Sequence, residues 1–344
     1  MKKYSFAICL ILLNLSFCIG QTQQIIYTIS PWPDNKKAAV SLTFDDGISG
    51  QFTIAVPLLN DHGFKATFFV TTKTVMSQLG DWHLVKAAAA AGHEIANHAL
   101  THPHFDTMSA DNIAAELVQS NALIEDNIKP AKSFTHAYPY GQGGQATDTE
   151  LKIRAVVKKY FIGARATRNR DITFNKYDFA ISEDDYYKVN SDVIADAASM
   201  AGFEKQLDET ITAGGWYVPT YHGIENGWII VSKNIFEKHL TGMDKRLKYL
   251  WIAPFANVLK YHQERNCAKL VPVSENSRSW ILKLTDTLGN SATWDQPLTI
   301  NLKPQGRKIK SIQQASRKIS FTASGDEIIF NALPGNDEIV ITKN

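Results

Sequence analysis

Side chains suited to metal binding and proton transfer occur at two places in the first third of the sequence. Asp45 and Asp46 end an apolar run over residues 38–44, and His98 and His102 lie four residues apart after a short predicted strand. Adjacent carboxylates repel each other, so both stay ionised only if a cation neutralises one, which leaves the other free as a general base. Two imidazoles and one carboxylate leave coordination positions open for water, which is typical of catalytic metal sites. The two segments therefore predict a divalent-metal site, and the alternative is solvated loop histidines beside a capping Asp-Asp-Gly turn.

Strand and helix patterns alternate over about residues 36–265, which predicts an α/β fold of parallel strands joined by crossover helices, as an open sheet or a barrel. Residues 191–213 are predicted to be mostly helical. The catalytic residues of such folds lie at the carboxyl ends of the strands. Four predicted strands end in polar or aromatic groups of this kind, at residues 43–47, 97–103, 137–141 and 220–222. Their joint position at one rim is the strongest functional signal in the chain.

On these motifs, the chain from about residue 36 to 265 resembles the NodB-homology polysaccharide deacetylases, carbohydrate esterase family 4. The Thr-Phe-Asp-Asp-Gly motif of that family is present unchanged at residues 43–47. The His-(Ser/Thr)-x-x-His motif matches at 98–102 with Ala99 in place of the hydroxyl residue, and the Leu-x-His motif matches at His222 with Thr220 in place of leucine. The resemblance implies a distorted (β/α) barrel with its groove at the strand carboxyl ends.

The resemblance also implies a role for each matching residue. One divalent metal ion, most often zinc, with cobalt or nickel as alternatives, would be bound by Asp46, His98 and His102. Asp45 would be the general base, His222 the general acid, and the backbone N–H of Tyr140 a donor to the developing oxyanion. The expected reaction is attack of a metal-activated water on an acetyl carbonyl, with Asp45 taking the proton and His222 protonating the leaving amine or alkoxide.

One motif departs from the family in a residue that matters for the base. Ala137 stands where the Arg-x-Pro-Tyr motif has the arginine that orients the base. His136 and Arg168 are the nearby candidates to replace it. The family's Asp-and-Trp motif is not assigned to residues of this sequence.

The substrate that the resemblance implies is an acetylated polysaccharide or oligosaccharide, with either N-acetyl or O-acetyl linkages. Predicted substrate contacts are Tyr138, Pro139 and Trp228, because sugars bind to aromatic faces, and the alternative for such residues is core packing. A second hypothesis is a carbohydrate-binding pseudo-enzyme that retains the metal site without turnover, which the missing arginine and the weakened Leu-x-His motif support. A third is an unrelated metal hydrolase on the same barrel, because fold does not determine function.

Composition and charge exclude several classes of protein. The 344 residues are 44% hydrophobic and 20% charged, which excludes a disordered or low-complexity chain. Without Lys2 and Lys3, which lie in a predicted leader, the 36 basic residues fall to 34 against 34 acidic ones. A near-neutral chain gives no electrostatic reason to expect binding to nucleic acid or to an anionic membrane surface.

The first 20 residues predict a signal peptide. A basic start precedes an apolar run over about residues 6–19, which is short for a transmembrane helix and ends at Gly20. Cleavage there leaves Cys267 as the single cysteine of the mature chain, which then has no internal disulfide and no predicted transmembrane span. We expect an exported protein, whether periplasmic, cell-surface or secreted, and the alternatives are an uncleaved anchor or a lipoprotein attached through Cys18.

The sequence divides into four parts. We predict a signal peptide over 1–20, an N-terminal segment over 21–35, a NodB-like deacetylase domain over 36–268 and a small β-sandwich-like domain over 269–344. The last part shows short alternating apolar runs separated by Gly, Asn, Asp and Pro, which is typical of antiparallel strands.

Overall fold

The computed structural model describes residues 26–129, 134–167, 174–176, 178, 180, 182–196, 200–289, 292–335 and 337–344. The strands of the first two thirds are β1 (Ile26–Ile29), β2 (Ala38–Val40), β3 (Thr43–Asp46), β4 (Thr67–Val70), β5 (Glu94–Asn97), β6 (Thr135–Ala137), β7 (Gly163–Ala166), β8 (Phe174–Asn175), β9 (Val189–Asn190), β10 (Asp192–Val193), β11 (Trp216–Tyr217), β12 (Pro219–Tyr221) and β13 (Leu250–Ile252). The helices are α1 (Val56–Asp61), α2 (Thr72–Leu79), α3 (His83–Ala90), α4 (Ala110–Asn127), α5 (Asp148–Val157), α6 (Met200–Ala213), α7 (Lys233–Asp244) and α8 (Phe255–Cys267). The remaining strands are β14 (Lys269–Glu275), β15 (Ser279–Thr285), β16 (Leu298–Lys303), β17 (Ile309–Gln314), β18 (Arg317–Ile319), β19 (Phe321–Ser324), β20 (Glu327–Ala332) and β21 (Glu338–Lys343).

A nearly closed parallel barrel occupies the first two thirds of the chain. Eight parallel strands are ordered β10-β12-β3-β4-β5-β6-β7-β9, and a second sheet is ordered β13-β2-β11-β8. Only Ser41 and Leu42 separate β2 from β3, and only Val218 separates β11 from β12, so each pair is one bent strand shared between the two sheets. The predicted distorted (β/α) barrel is confirmed.

The barrel strands are buried on both faces, as their apolar sequences predict. In β4 all four residues are buried, and the Phe68 ring stacks on Phe44 of β3 at 4.8 Å between ring centroids. Polar caps begin some of the surrounding helices; for example, the Ser109 hydroxyl accepts a hydrogen bond from the Asn112 N–H at the start of α4. The mostly helical prediction for residues 191–213 is only partly right, because Asp192–Val193 pairs with β12 as a strand and α6 begins at Met200.

Two antiparallel sheets form the second domain. Their orders are β1-β16-β20-β19 and β14-β15-β21-β17-β18, so β1, in the predicted N-terminal segment, lies in a sheet with strands from the C-terminal part. The burial of β15 alternates strictly along the strand, as expected where one face packs on a core. The fully buried Trp32 belongs to one apolar cluster that runs from the barrel into this domain, and the Tyr261 hydroxyl of α8 donates to the Ser30 carbonyl at 3.0 Å. The barrel and the antiparallel domain therefore share a core.

Several predictions fall on residues outside the described ranges. They are the signal peptide over 1–20 and the base-orienting candidate Arg168. Within the described ranges, every helix is too short or too polar to span a bilayer.

Candidate active site

The turn after β3 places two carboxylates at the barrel rim. Asp46 has a φ of +79° and Gly47 a φ of +83°, so the chain turns sharply at the strand end in a left-handed conformation that Asp and Gly tolerate better than most residues. Asp45 and Asp46 are both buried. The carboxylates are thus removed from bulk water, where their charges interact strongly with nearby groups.

The loop after β5 brings both histidines to the same rim. It is an irregular turn, as the position before Pro103 predicts, with positive φ at Ala99 and His102. The Asn97 side chain accepts a hydrogen bond from the Ala99 N–H at 2.8 Å, and the Glu116 carboxylate on α4 accepts from the backbone of the next two residues at 3.0 and 2.9 Å. These contacts hold the turn in the shape that aims both imidazoles at Asp46.

Asp46, His98 and His102 form a compact set of potential metal ligands. Asp46 Oδ1 lies 3.5 Å from His98 Nε2 and 3.5 Å from His102 Nε2, and one ligand atom from each residue lies within 4.8 Å of the others. A carboxylate with two imidazoles suits zinc and the neighbouring transition metals.

The protonation of His98 supports a cation at this position. Its Nδ1 lies 2.7 Å from the Ala137 carbonyl, so Nδ1 carries the proton and Nε2 presents a lone pair to Asp46. Burial lowers the pKa of His98 to about 3 and also lowers the pKa of His102, so neither ring is charged at neutral pH. A lone pair facing a carboxylate oxygen is repulsive unless a cation lies between them, so these residues fit a divalent ion.

A second interaction fixes the orientation of the Asp46 carboxylate. The Trp228 indole Nε1–H donates to Asp46 Oδ2 at 2.7 Å, which leaves Oδ1 facing the histidines. Burial, and then the neighbouring Asp45 carboxylate, raise the pKa of Asp46 to about 6. The two carboxylates therefore differ in their environments, although they are adjacent in sequence.

Arg165 of β7 holds Asp45, a contact that no sequence motif predicted. Its Nη2 lies 2.6 Å from Asp45 Oδ1 and 2.5 Å from Oδ2, and its Nη1 donates to the Ser191 hydroxyl at 3.0 Å. Burial acts to raise the pKa of Asp45, but the adjacent Arg165 guanidinium holds that pKa below its usual value. Asp45 is therefore kept ionised, as a general base requires.

The position of Arg165 explains how Asp45 can be oriented although Ala137 replaces the family's arginine. Ala137 and Arg165 are direct partners on the adjacent parallel strands β6 and β7, so the guanidinium reaches Asp45 from β7 instead of from β6. The candidate His136 does not take this role, because its Nδ1 pairs with Asn97 and its ring is buried between Phe105 and Phe161. An arginine inside a buried Gly-Ala-Arg-Ala strand was the available sequence signal.

His222 lies at the end of β12, across the site from the His98 loop. Its Nε2 is 3.8 Å from Asp45 Oδ2. Gln51, in the π-helical turn Gln51–Ala55, donates its Nε2 hydrogens to the carbonyls of Asp45 at 2.5 Å and His222 at 2.9 Å. One buried amide thus joins the two proposed proton-transfer residues, and sequence patterns gave no indication of it.

The predicted substrate contacts separate into exposed and buried residues. Tyr140 is 50% exposed, stacks on His104 at 3.8 Å and has its ring 4.5 Å from that of His102. Trp228 is 46% exposed. Tyr138 cannot line the groove, because it is 1% exposed and its hydroxyl donates to the Tyr187 carbonyl; Pro139 is also buried, and it begins the turn that carries Tyr140.

The chain is similar in sequence to several known proteins. Residues 33–158 match the family model described as polysaccharide deacetylase. The chain is 24% identical over 321 residues to a gellan lyase from a Bacillus species, covering 88% of this chain and 12% of that protein. It is 23% identical over 286 residues to chitin deacetylase 1 of Cryptococcus neoformans, covering 82% of this chain and 54% of that protein. The chain thus spans about half or less of the length of these relatives.

The fold of the barrel is also found among solved structures. A Mycobacterium smegmatis protein assigned to the polysaccharide deacetylases has a TM-score of 0.50 with 14% sequence identity, over 70% of this chain and 94% of that one. The family match begins before β2, includes the Asp45–Asp46 turn and both histidines, and ends after α5. Residues 33–158, which carry the Asp45–Asp46 turn and both histidines, are therefore similar to the polysaccharide deacetylase family, as the sequence motifs predicted.

Proposed function

We propose that the protein is a metal-dependent hydrolase that removes acetyl groups from a polysaccharide. The observation that carries this proposal is the pairing of a candidate metal site at Asp46, His98 and His102 with a second, arginine-held carboxylate, Asp45, on the neighbouring residue. A divalent ion at that site supplies Lewis-acid polarisation of a carbonyl and lowers the pKa of a water molecule.

The side chains of the site divide the reaction between them. Asp45 accepts the proton of the attacking water, since Arg165 keeps its carboxylate ionised at neutral pH. The Tyr140 N–H donates to the oxygen that gains charge as the water oxygen bonds to the acetyl carbon. His222 gives a proton to the leaving nitrogen or oxygen as its bond to that carbon breaks, so acetate and a free amine or hydroxyl result.

The exposed aromatic residues of the rim provide the surface for a sugar. Trp228 and Tyr140 are both about half exposed and contact metal-ligand residues, so a ring stacked on either one lies beside the acetyl-hydrolysing groups. Three relatives are named as deacetylases of chitin, of chitooligosaccharide and of peptidoglycan N-acetylglucosamine. These names support an acetylated glycan as the substrate. We further propose export through the signal peptide over 1–20, with the periplasm, the cell surface or the medium as the destination.

One observation favours the second candidate, a carbohydrate-binding pseudo-enzyme. His222 Nδ1 is buried, and within the described residues it neither accepts nor donates a hydrogen bond. A histidine that acts as a general acid is usually oriented by a hydrogen bond to its other ring nitrogen, here Nδ1. Without a partner for Nδ1, turnover would be lower while the metal ligands stay unaffected.

Acetate release from a panel of acetylated glycans tests both candidates. We expect the wild-type protein to release acetate, to lose this activity with a chelator, and to regain it with zinc, cobalt or nickel. Asp45→Asn should retain metal and lose nearly all activity, whereas His98→Ala should lose both. His83→Ala, which removes an exposed histidine paired with Asp81, is the matched control and should behave as wild type.

Two outcomes would contradict the assignment. High activity in Asp45→Asn would remove Asp45 as the base. Glycan binding and metal binding without metal-dependent acetate release would establish the pseudo-enzyme.

A further inference from the structure

Trp228 contacts the candidate metal site through a part of its ring that sugar stacking does not use. Its Nε1–H donates to Asp46 Oδ2 at 2.7 Å, whereas Oδ1 of the same carboxylate faces His98 and His102, each at 3.5 Å. The indole N–H therefore determines which oxygen is free to bind a cation. Groups that orient a ligating side chain in this way commonly change metal affinity 10- to 100-fold when they are removed.

The loop that carries Trp228 is braced against the turn after Asp46. The Asn226 side chain accepts from the Gly50 N–H at 3.2 Å and donates to the Ser49 hydroxyl at 3.1 Å. A Cβ at Gly50 would lie 2.0 Å from the Ile224 carbonyl oxygen, so the turn and the loop are in backbone contact there; within the loop itself, a Cβ at Gly223 would lie 2.1 Å from the Asn226 carbonyl oxygen. Because the two segments pack this closely, the position of the indole over Asp46 is set by the loop.

The backbone beside Trp228 is strained. Ile229 has a φ of +46°, an unfavourable conformation for a β-branched residue that persists only where surrounding contacts impose it. The Gly223 N–H donates to the Trp228 carbonyl at 3.0 Å, and the Val231 N–H donates to the Gly223 carbonyl at 2.9 Å. These bonds close the loop on both sides of the strained residue and keep the indole N–H directed at the carboxylate.

We propose that Trp228 is a positioning residue for the metal site: its N–H holds Asp46 in a one-oxygen binding orientation, while its exposed face remains available to the substrate. This inference rests on the proposed metal-dependent function. It predicts that loss of the N–H weakens metal binding even where the aromatic surface is retained.

The test measures zinc affinity by competition with a chromophoric chelator, without any substrate. Trp228→Phe retains an aromatic face and removes the donor, so we expect its zinc dissociation constant to rise about 10-fold. The same loss should appear as a smaller zinc-induced rise in Tm, since 10-fold weaker binding corresponds to about 1.4 kcal/mol. Ile230→Ala, which shortens a similarly exposed side chain in the same loop, is the matched control and should bind zinc as wild type does.

The Tm of each chelated variant shows whether the fold is intact, and we expect only a small decrease in Trp228→Phe, because a largely exposed side chain loses one hydrogen bond to a buried carboxylate. Equal zinc affinity in Trp228→Phe and wild type would overturn the positioning role while leaving the metal site intact. An equal loss in Ile230→Ala would also overturn it, because the effect would then belong to the loop as a whole. A wild-type protein that binds no zinc, cobalt or nickel would instead refute the proposed function.

Discussion

Replacing Arg165 with methionine should damage both the stability of the barrel and the catalytic base. Arg165 is fully buried, and Asp45, its partner, is nearly so. Removing one member of a buried ion pair typically costs about 3–5 kcal/mol, because the remaining charge loses its compensation. The neutral His98 ring offers Asp45 no compensating charge, so we expect the free energy of unfolding to fall by about 3–5 kcal/mol.

Urea unfolding of the chelated protein at neutral pH measures this cost. The double variant Asp45→Asn/Arg165→Met removes both charges, so it should be less destabilised than the sum of the single variants, with a coupling energy of about 3 kcal/mol. Activity should fall about 10²–10⁴-fold in Arg165→Met, the range for loss of a positioned general base. Arg165→Lys should be intermediate, since an ammonium retains the charge but cannot reproduce the two contacts of the guanidinium.

A second arginine–aspartate pair serves as the control. Arg246 donates to the two carboxylate oxygens of Asp208 on α6 at 2.7 and 2.8 Å, outside the candidate site, so Arg246→Met should keep its activity. Because Ala137 is the cross-strand partner of Arg165, we also expect Ala137→Arg to restore part of the activity of Arg165→Ala. Near-additive stability losses in the cycle, together with unchanged activity in Arg165→Met, would refute the view that Arg165 holds the base.

Three further outcomes can be measured. Gln51→Ala should lower the free energy of unfolding by about 1–3 kcal/mol and also reduce activity, because the carbonyls of Asp45 and His222 lose their shared donor; a stability loss alone would assign Gln51 a purely structural role. Burial raises the pKa of Glu264 to about 8, so the folded state binds that proton more tightly than the unfolded state, and the associated stability is present below about pH 4.5 and lost as the pH rises through 8. Glu264→Gln should therefore gain stability relative to wild type between pH 5 and 8.5 in urea titrations, and a pH-independent difference would contradict this. Deleting 270–344 should yield insoluble protein in expression trials, because the shared core would be exposed; a soluble, active barrel would show that the domains are separable.

Much of the fold follows from local sequence. The short apolar runs that end in Asp-Asp-Gly and in Asn-His-Ala are strands because they are buried on both faces, and the structure has β5 at the predicted residues 94–97. Alternation of such runs with helical segments specifies parallel strands, whose carboxyl ends must meet at one rim. The candidate metal ligands could be predicted for this reason, since each lies at or within a few residues of a strand end.

The groups that hold these ligands could not be predicted, because they come from distant parts of the chain. Arg165 reaches Asp45 across 120 positions of sequence, and Trp228 reaches Asp46 across 182. Neither contact has a local pattern: an arginine in a buried strand or a tryptophan in a loop acquires its partner only when the barrel closes. Tyr138 illustrates the opposite error, because its place beside the motif suggested a substrate contact, while strand packing turned its ring into the core. Sequence thus determined which chemical groups reach the rim, and tertiary packing decided how each one is oriented and which of them face the substrate.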